Sequence, residues 1–236
     1  MTGAGPWHLR EPSIEQEHRF QRSIVLHSLT DAWMRELNGR SDRPFQIERM
    51  TRVTLNPNLW LFEKSRLDDL RMDLGNLVGS QSIDEFLDEL ETTIQVIQIS
   101  TLETAMQGPA HSQELKSVLQ KASWNHGKVR AELMWKGGGM EEATTAYHAF
   151  LEGCPFPPRT FIAERSSKQE FTFLWTQPPG RIRMLQDSPC VALMESLFEE
   201  WIRGYFYTLS RTLRLETRML ELASGRAIRF TLLSSS

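Results

Sequence analysis

Up to Gly153, apolar positions recur mostly three and four residues apart, which predicts a succession of amphipathic helices. The first opens at "SIEQ", where Ser13 can cap free backbone N–H groups and Gln16 can reach back as its capping-box partner. It should run to Asn38-Gly39, with Phe20, Ile24, Leu29, Trp33 and Leu37 as one stripe. "PFQIERMTRVTL" fits neither period and reads as an irregular or short extended connection. "NLWLFEKSRLDDLRMDLGNLVG" returns to helical spacing through Phe62, Leu67, Leu70, Leu74 and Leu77. A second capping box, Ser82 with Glu85, opens a helix buried through Phe86, Leu87, Leu90, Ile94, Ile97 and Leu102. Within it "TIQVIQIS" also alternates like a strand, which leaves room for a break. After Gly108-Pro109, Leu115, Leu119, Ala122, His126, Val129 and Leu133 define another helix that "KGGG" ends. A shorter one runs through "MEEATTAYHAFLEG" to Gly153 and the Pro-rich "CPFPP".

Beyond Pro158 the period changes to two. "RTFIAE" and "EFTFLWT", joined by "RSSKQ", predict a β-hairpin with Phe171, Phe173 and Trp175 on one face. "QPPG" breaks the pattern, and "CVALMESLFEEWIRGYFYTLSRT" is a strong helix with Cys190, Met194, Leu197, Trp201 and Tyr205 near one side. The last two strands flank the Ser224-Gly225 turn.

The chain of 236 residues is long enough to bury a substantial core without a staple. Its 40% hydrophobic and 24% charged residues are near the globular norm, so a soluble globular protein is expected. A formal charge of -3, with basic residues scattered, argues against nucleic acid as a partner. The first residues hold no signal-peptide core and no segment offers about 18 uncharged apolar residues in a row, so a cytoplasmic protein without a membrane span is expected. Cys154 and Cys190, the two cysteines, are expected to remain thiols.

Phosphate loop, Rossmann fingerprint, GxSxG and HExxH motifs are all missing, and the six histidines lack metal-ligand spacing, so no metal is assigned and the cofactor stays unknown. His126 sits among apolar residues in helical phase, where a neutral imidazole could act as acid, base or ligand; the plain alternative is a core histidine with a local hydrogen bond. Cys190 begins a helix, a place that can activate a thiol, but with no His partner assignable from sequence the preferred reading is a small buried packing residue. His148 with Glu141 and Glu142 reads as a polar cluster or a solvated helix face. Glu195, Glu199 and Glu200 share a helix with Trp201, Arg203 and Tyr205, so a carboxylate and an arginine could face a pocket, although most such carboxylates face water. The seven tryptophans can build a wide aromatic core or line an apolar ligand cavity.

"CVALMESLFEEWIRGYFYTLSRTLRLETRMLELASGRAIRF", from Cys190 to Phe230, resembles the end of the 4-vinyl reductase-like ligand-binding domains. The matching positions are Cys190 at a helix start, Gly204 within that helix, Glu216 on a strand, the turn glycine Gly225 and Phe230 on the final strand. The preceding "LQKASWNHGKVRAELMWKGGGMEEATTAYHAFLEG" looks like the lead-in to the same ending in L-2-amino-thiazoline-4-carboxylic acid hydrolase-like proteins. In both families the last strand pair often carries cysteines, where this chain has Met219 and Ile228. The resemblance therefore implies a fold, with a small-molecule pocket between helices and a four-stranded antiparallel sheet, more than a thiol or metal chemistry.

These readings converge on an α+β protein: an N-terminal helical region, residues 1–153, packed on a C-terminal module, residues 154–236, of antiparallel four-stranded sheet with helices, or one continuous domain. The expected function is binding of a small, largely apolar or aromatic molecule, as a sensor or biosynthetic accessory, through Trp175, Trp201, Tyr205 and Phe206 with Arg203 as carboxylate anchor. One alternative is a hydrolase or isomerase of a small cyclic amide-like or thiazoline-like substrate using Cys190, His126 and Glu199. Another is a scaffold or dimerisation module, since the sheet could pair across subunits as a homodimer.

Overall fold

The computed structural model describes residues 12–38, 82–107, 112–135, 139–167, 169–176, 190–223 and 225–234. Both expected capping boxes start helices. Ahead of α1 (Ile14–Asn38), the Ser13 N–H donates to Gln16 Oε1 at 2.9 Å and the Gln16 N–H returns to Ser13 Oγ at 3.2 Å. Ahead of α2 (Ile83–Gln107), the Ser82 N–H donates to Glu85 Oε2 at 3.0 Å and the Glu85 N–H to Ser82 Oγ at 3.2 Å. The strand-like "TIQVIQIS" causes no break, because Leu90, Ile94 and Ile97 continue one helical face that is buried against α1. "PFQIERMTRVTL", the helix expected through Phe62 and Leu77, Gly108-Pro109 and "QPPG" lie outside the described residues.

α1 and α2 run in the same direction, since Gln16 reaches Asp84, Arg19 reaches Asp88 and Glu91, and Gln98 reaches the Leu26 carbonyl. The single stripe expected on α1 divides. Phe20 and Ile24 join Leu87, Leu90 and Ile94 in a small cluster, while Val25, Leu29, Trp33 and Leu37 enter the main core.

α3 (Ser112–Met134) and α4 (Ala143–Gly153) follow. Two members of the stripe expected on α3 are wrong: Val129 is 48% and Leu133 42% exposed. The buried face lies instead along Leu119, Ser123, Gly127 and Ala131. Its position is set by α5 (Val191–Leu209), whose backbone lies directly on Gly127. A Cβ at Gly127 would overlap the Trp201 carbonyl oxygen, and one at Gly204 would overlap that of Trp124. The two glycines thus let the helix backbones touch, and α3 with α5 forms the most extensive pair among the described elements. Gly139, at φ 86° where glycine alone is comfortable, turns the chain so that its N–H and that of Met140 both donate to Leu209 O at the end of α5.

The sheet has four antiparallel strands in the order β1 (Phe161–Ser166), β2 (Glu170–Trp175), β4 (Gly225–Ser234), β3 (Leu213–Leu222). This is the expected α+β architecture, with helices first and the sheet after Pro158. Met219 and Ile228 stand directly opposite each other across the last hairpin. The helix-facing side of the sheet carries Phe171, Phe173, Trp175, Phe230 and Leu232, which join α1, α3, α4 and α5 in one contiguous core. On the other side, the Arg229–Glu164 ion pair at 2.8 Å ties β4 to β1 across β2. A buried carboxylate, Glu195, ties α5 to β4 through Arg226 at 3.1 Å.

Alanine at Gly127 or Gly204 is expected to lower the unfolding free energy by about 2 kcal/mol or more, even though alanine gains about 1 kcal/mol in helix propensity, because the overlap is with rigid backbone. Urea denaturation followed by tryptophan fluorescence measures it, and a stabilised variant would contradict the close approach.

Candidate functional site

On α1, Ile14, His18, Gln21 and Val25 share a face at helical spacing, flanked by Glu15, Arg19 and Arg22. Opposite them stand His148, Leu151, Glu152 and Gly153 at the end of α4, then Cys154, Pro157, Pro158 and Arg159. Asp88 and Glu91 of α2 and Arg130 of α3 complete the walls of a cleft of about 1030 Å³. α4 cannot continue into the Pro-rich segment, so the chain leaves it at Cys154 and closes one side of the cleft before β1.

The arginines in this cleft are in different electrostatic states. Arg19 Nη2 donates to Asp88 at 2.6 Å and its Nε to Glu91 at 3.1 Å, and the bond to Glu91 is the largest cause of a pKa raised further above the ordinary arginine value. Arg22, one turn later and part-buried, makes no hydrogen bond or ion pair among the described residues. Burial pushes its pKa down, a measure of the cost of taking that charge from water; the nearby carboxylates of Glu91 and Glu15 only partly offset it. Arg130 is 5% exposed. Arg159 is exposed at the rim.

Cys154 lies between the two inner arginines in electrostatic terms, since both Arg22 and Arg130 act on its sulfur. Burial nevertheless pushes the thiol up to about 12, and its Sγ–H donates to the Phe156 carbonyl at 3.2 Å. It is a protonated wall residue rather than a thiolate nucleophile. Among the described residues no three His, Cys, Asp or Glu side chains stand together as a metal site. The chemistry left to the cleft is electrostatic: the arginines Arg19, Arg22, Arg130 and Arg159, the carboxylates Glu15, Asp88, Glu91 and Glu152, an apolar wall and two imidazoles, His18 and His148.

The residues singled out from sequence are placed elsewhere. Trp175, Trp201, Tyr205 and Phe206 are each at most 2% exposed and pack into the aromatic core, and none lines the cleft. Trp201 stacks on Tyr205 at 5.2 Å, Phe206 on Phe150 at 4.9 Å, and Trp175 meets Phe156 at 4.7 Å. The indole N–H of Trp175 finds no acceptor among the described residues. Arg203 directs its guanidinium to Glu199 at 2.7 Å and also bonds Thr217, which itself donates to Glu199, so its charge is answered within the fold. Cys190 is fully buried at the start of α5, and neither cysteine is in a disulfide.

His126 is held from both sides. Trp201 Nε1–H donates to its Nδ1 at 2.8 Å, which leaves Nε2 to carry the proton toward Ser28 Oγ at 3.0 Å. None of Cys190, His126 and Glu199 lines the cleft. Arg22 and Arg130 escaped the sequence reading because a charged residue on a helix is assigned to solvent by default. The available signal was phase: Arg22 falls one turn before Leu26 and three residues before Val25, and Arg130 falls three after Gly127. Comparison with known proteins adds no relative, since no family model, curated protein or solved structure matches the chain.

Two outcomes follow from this geometry. The buried Cys154 thiol keeps its proton in the fold while the unfolded thiol ionises near its ordinary 9.0, so its contribution to stability is complete below pH 9 and declines as pH rises toward 12. Urea midpoints should fall over that window by at most about 1.4 kcal/mol per pH unit from this group, a component that Cys154→Ala removes. His126→Ala strands the Trp201 indole N–H and should cost about 1–3 kcal/mol in the same assay.

Proposed function

We propose that this protein binds a small molecule in the cleft between α1, the end of α4 and the Pro157-Pro158 turn. The observation that carries the reading is the cleft itself: at about 1030 Å³ it lies at the top of the range of about 300–1,000 Å³ usual for ligand sites. Its walls come from four helices and the segment before β1, all anchored to the main core. Such a site is preorganised, because its lining is held by packing that exists without a ligand. The resemblance of residues 190–230 to ligand-binding domains supports the same class of function. The helix–sheet interface, where that resemblance would put a pocket, is occupied by aromatic rings, and this favours the cleft as the place of binding.

The test is differential scanning fluorimetry with a panel of neutral, anionic and cationic small molecules, using Leu151→Trp and Ile14→Trp to obstruct the cleft. At least one compound class should raise the wild-type Tm, and the shift should be lost in an obstructed variant that keeps its circular dichroism. No shift across the panel, or shifts retained in both variants, would overturn the reading.

A further inference from the structure

The next inference rests on that reading and concerns the chemistry of the ligand. A guanidinium taken out of water without a counter-charge costs free energy, and folds ordinarily answer it with a carboxylate. Arg19 shows the ordinary arrangement, held by Asp88 and Glu91. Arg22, one turn further along the same helix, lines the cleft part-buried and has no hydrogen bond or ion pair among the described residues. From α3, the buried Arg130 lines the same cleft and acts on the same sulfur, Cys154. The protonated thiol adds no negative charge between them. Among the lining carboxylates, Asp88 and Glu91 are engaged by Arg19, while Glu15 and Glu152 are exposed. Val25, Leu151 and Pro157 supply an apolar wall beside the two guanidinium groups.

We propose that the cleft takes an oxyanion carried on a small apolar body, a carboxylate or a phosphate monoester, with Arg22 as its principal partner and Arg130 as its second. Arginine suits this task because its planar fork matches the paired oxygens of either group. The arrangement has a second consequence: Arg22 weakens the empty fold and is relieved when the anion arrives, so stability and binding depend on it with opposite signs.

Calorimetry and thermal unfolding with benzoate, phenyl phosphate and benzamide separate these effects at nearly constant ring shape. Benzoate or phenyl phosphate, whichever headgroup fits, should bind and raise the Tm, while the uncharged benzamide should not. Arg22→Gln should leave the Tm of the ligand-free protein unchanged or higher and weaken the anion by about tenfold or more, with Arg22→Lys between. Benzamide binding as well as benzoate, an unchanged anion affinity in Arg22→Gln, or a lowered ligand-free Tm in that variant would overturn the proposal. So would the failure of both anions. In that event a panel compound that Leu151→Trp still abolishes keeps the cleft as a binding site and removes only the anion assignment. If no panel compound binds, both readings fall.

Discussion

The backbones of α3 and α5 meet at Gly127 and Gly204 with no room for a side chain between them. Much of the site depends on that contact. It presses the α3 face that carries Arg130 against α5 and brings Trp135 onto Tyr205, whose hydroxyl accepts the indole N–H at 2.9 Å. The same hydroxyl donates to the Ala149 carbonyl at 3.2 Å and sits where a Cβ on Gly153 would have to go. The end of α4, and with it Cys154 and the wall of the cleft, is therefore positioned by a chain of contacts that begins at two glycines. Burial holds the Tyr205 hydroxyl neutral, which suits a group that must both accept and donate.

The aromatic core has a complementary effect. Phe150, Phe156, Phe173, Phe206 and Phe230 interlock between the helices and the sheet, with Phe173 stacked on Phe230 at 5.1 Å. Such rings are large and stiff, and they fill the helix–sheet interface, while the cleft lies between α1 and the end of α4. α1 serves two clusters with opposite faces, and its polar remainder, from His18 to Arg22, lines the cleft. Rings hold the fold and guanidinium groups shape the field of the cleft, while Val25 and Cys154 belong to both core and cleft wall.

Sequence pattern revealed the elements more readily than their mutual placement. Both capping boxes and the change of period after Pro158 were legible because each is a local signal between neighbours in the chain. The exposed Val129 and Leu133 were misread because the buried face of α3 is set by a glycine contact with a helix far along the chain. The cleft was illegible for a similar reason. Arg22 and Arg130 carry only the weak signal of helical phase, which their charge overrides, and the aromatic residues that looked like ligand contacts have the same composition whether they surround a molecule or one another. Trp201 and His126 were rightly placed in apolar helical phase, but their indole–imidazole bond joins two helices and no spacing rule announces it.

Among the described residues β3 is an edge of the sheet, hydrogen-bonded only to β4, and it displays Arg214, Glu216 and Arg218 on exposed alternate positions. Exposed edges are templates for strand addition, and alternating charge is one way in which proteins restrain them. Here the signs restrict more than access. An antiparallel copy centred on Glu216 would set that carboxylate against itself and Arg214 against Arg218, whereas a copy centred on Leu215 would set Arg214 against Glu216. The edge therefore discriminates between alignments as a key discriminates between locks, and sheet extension through β3 is restricted to the alignments in which arginine meets glutamate.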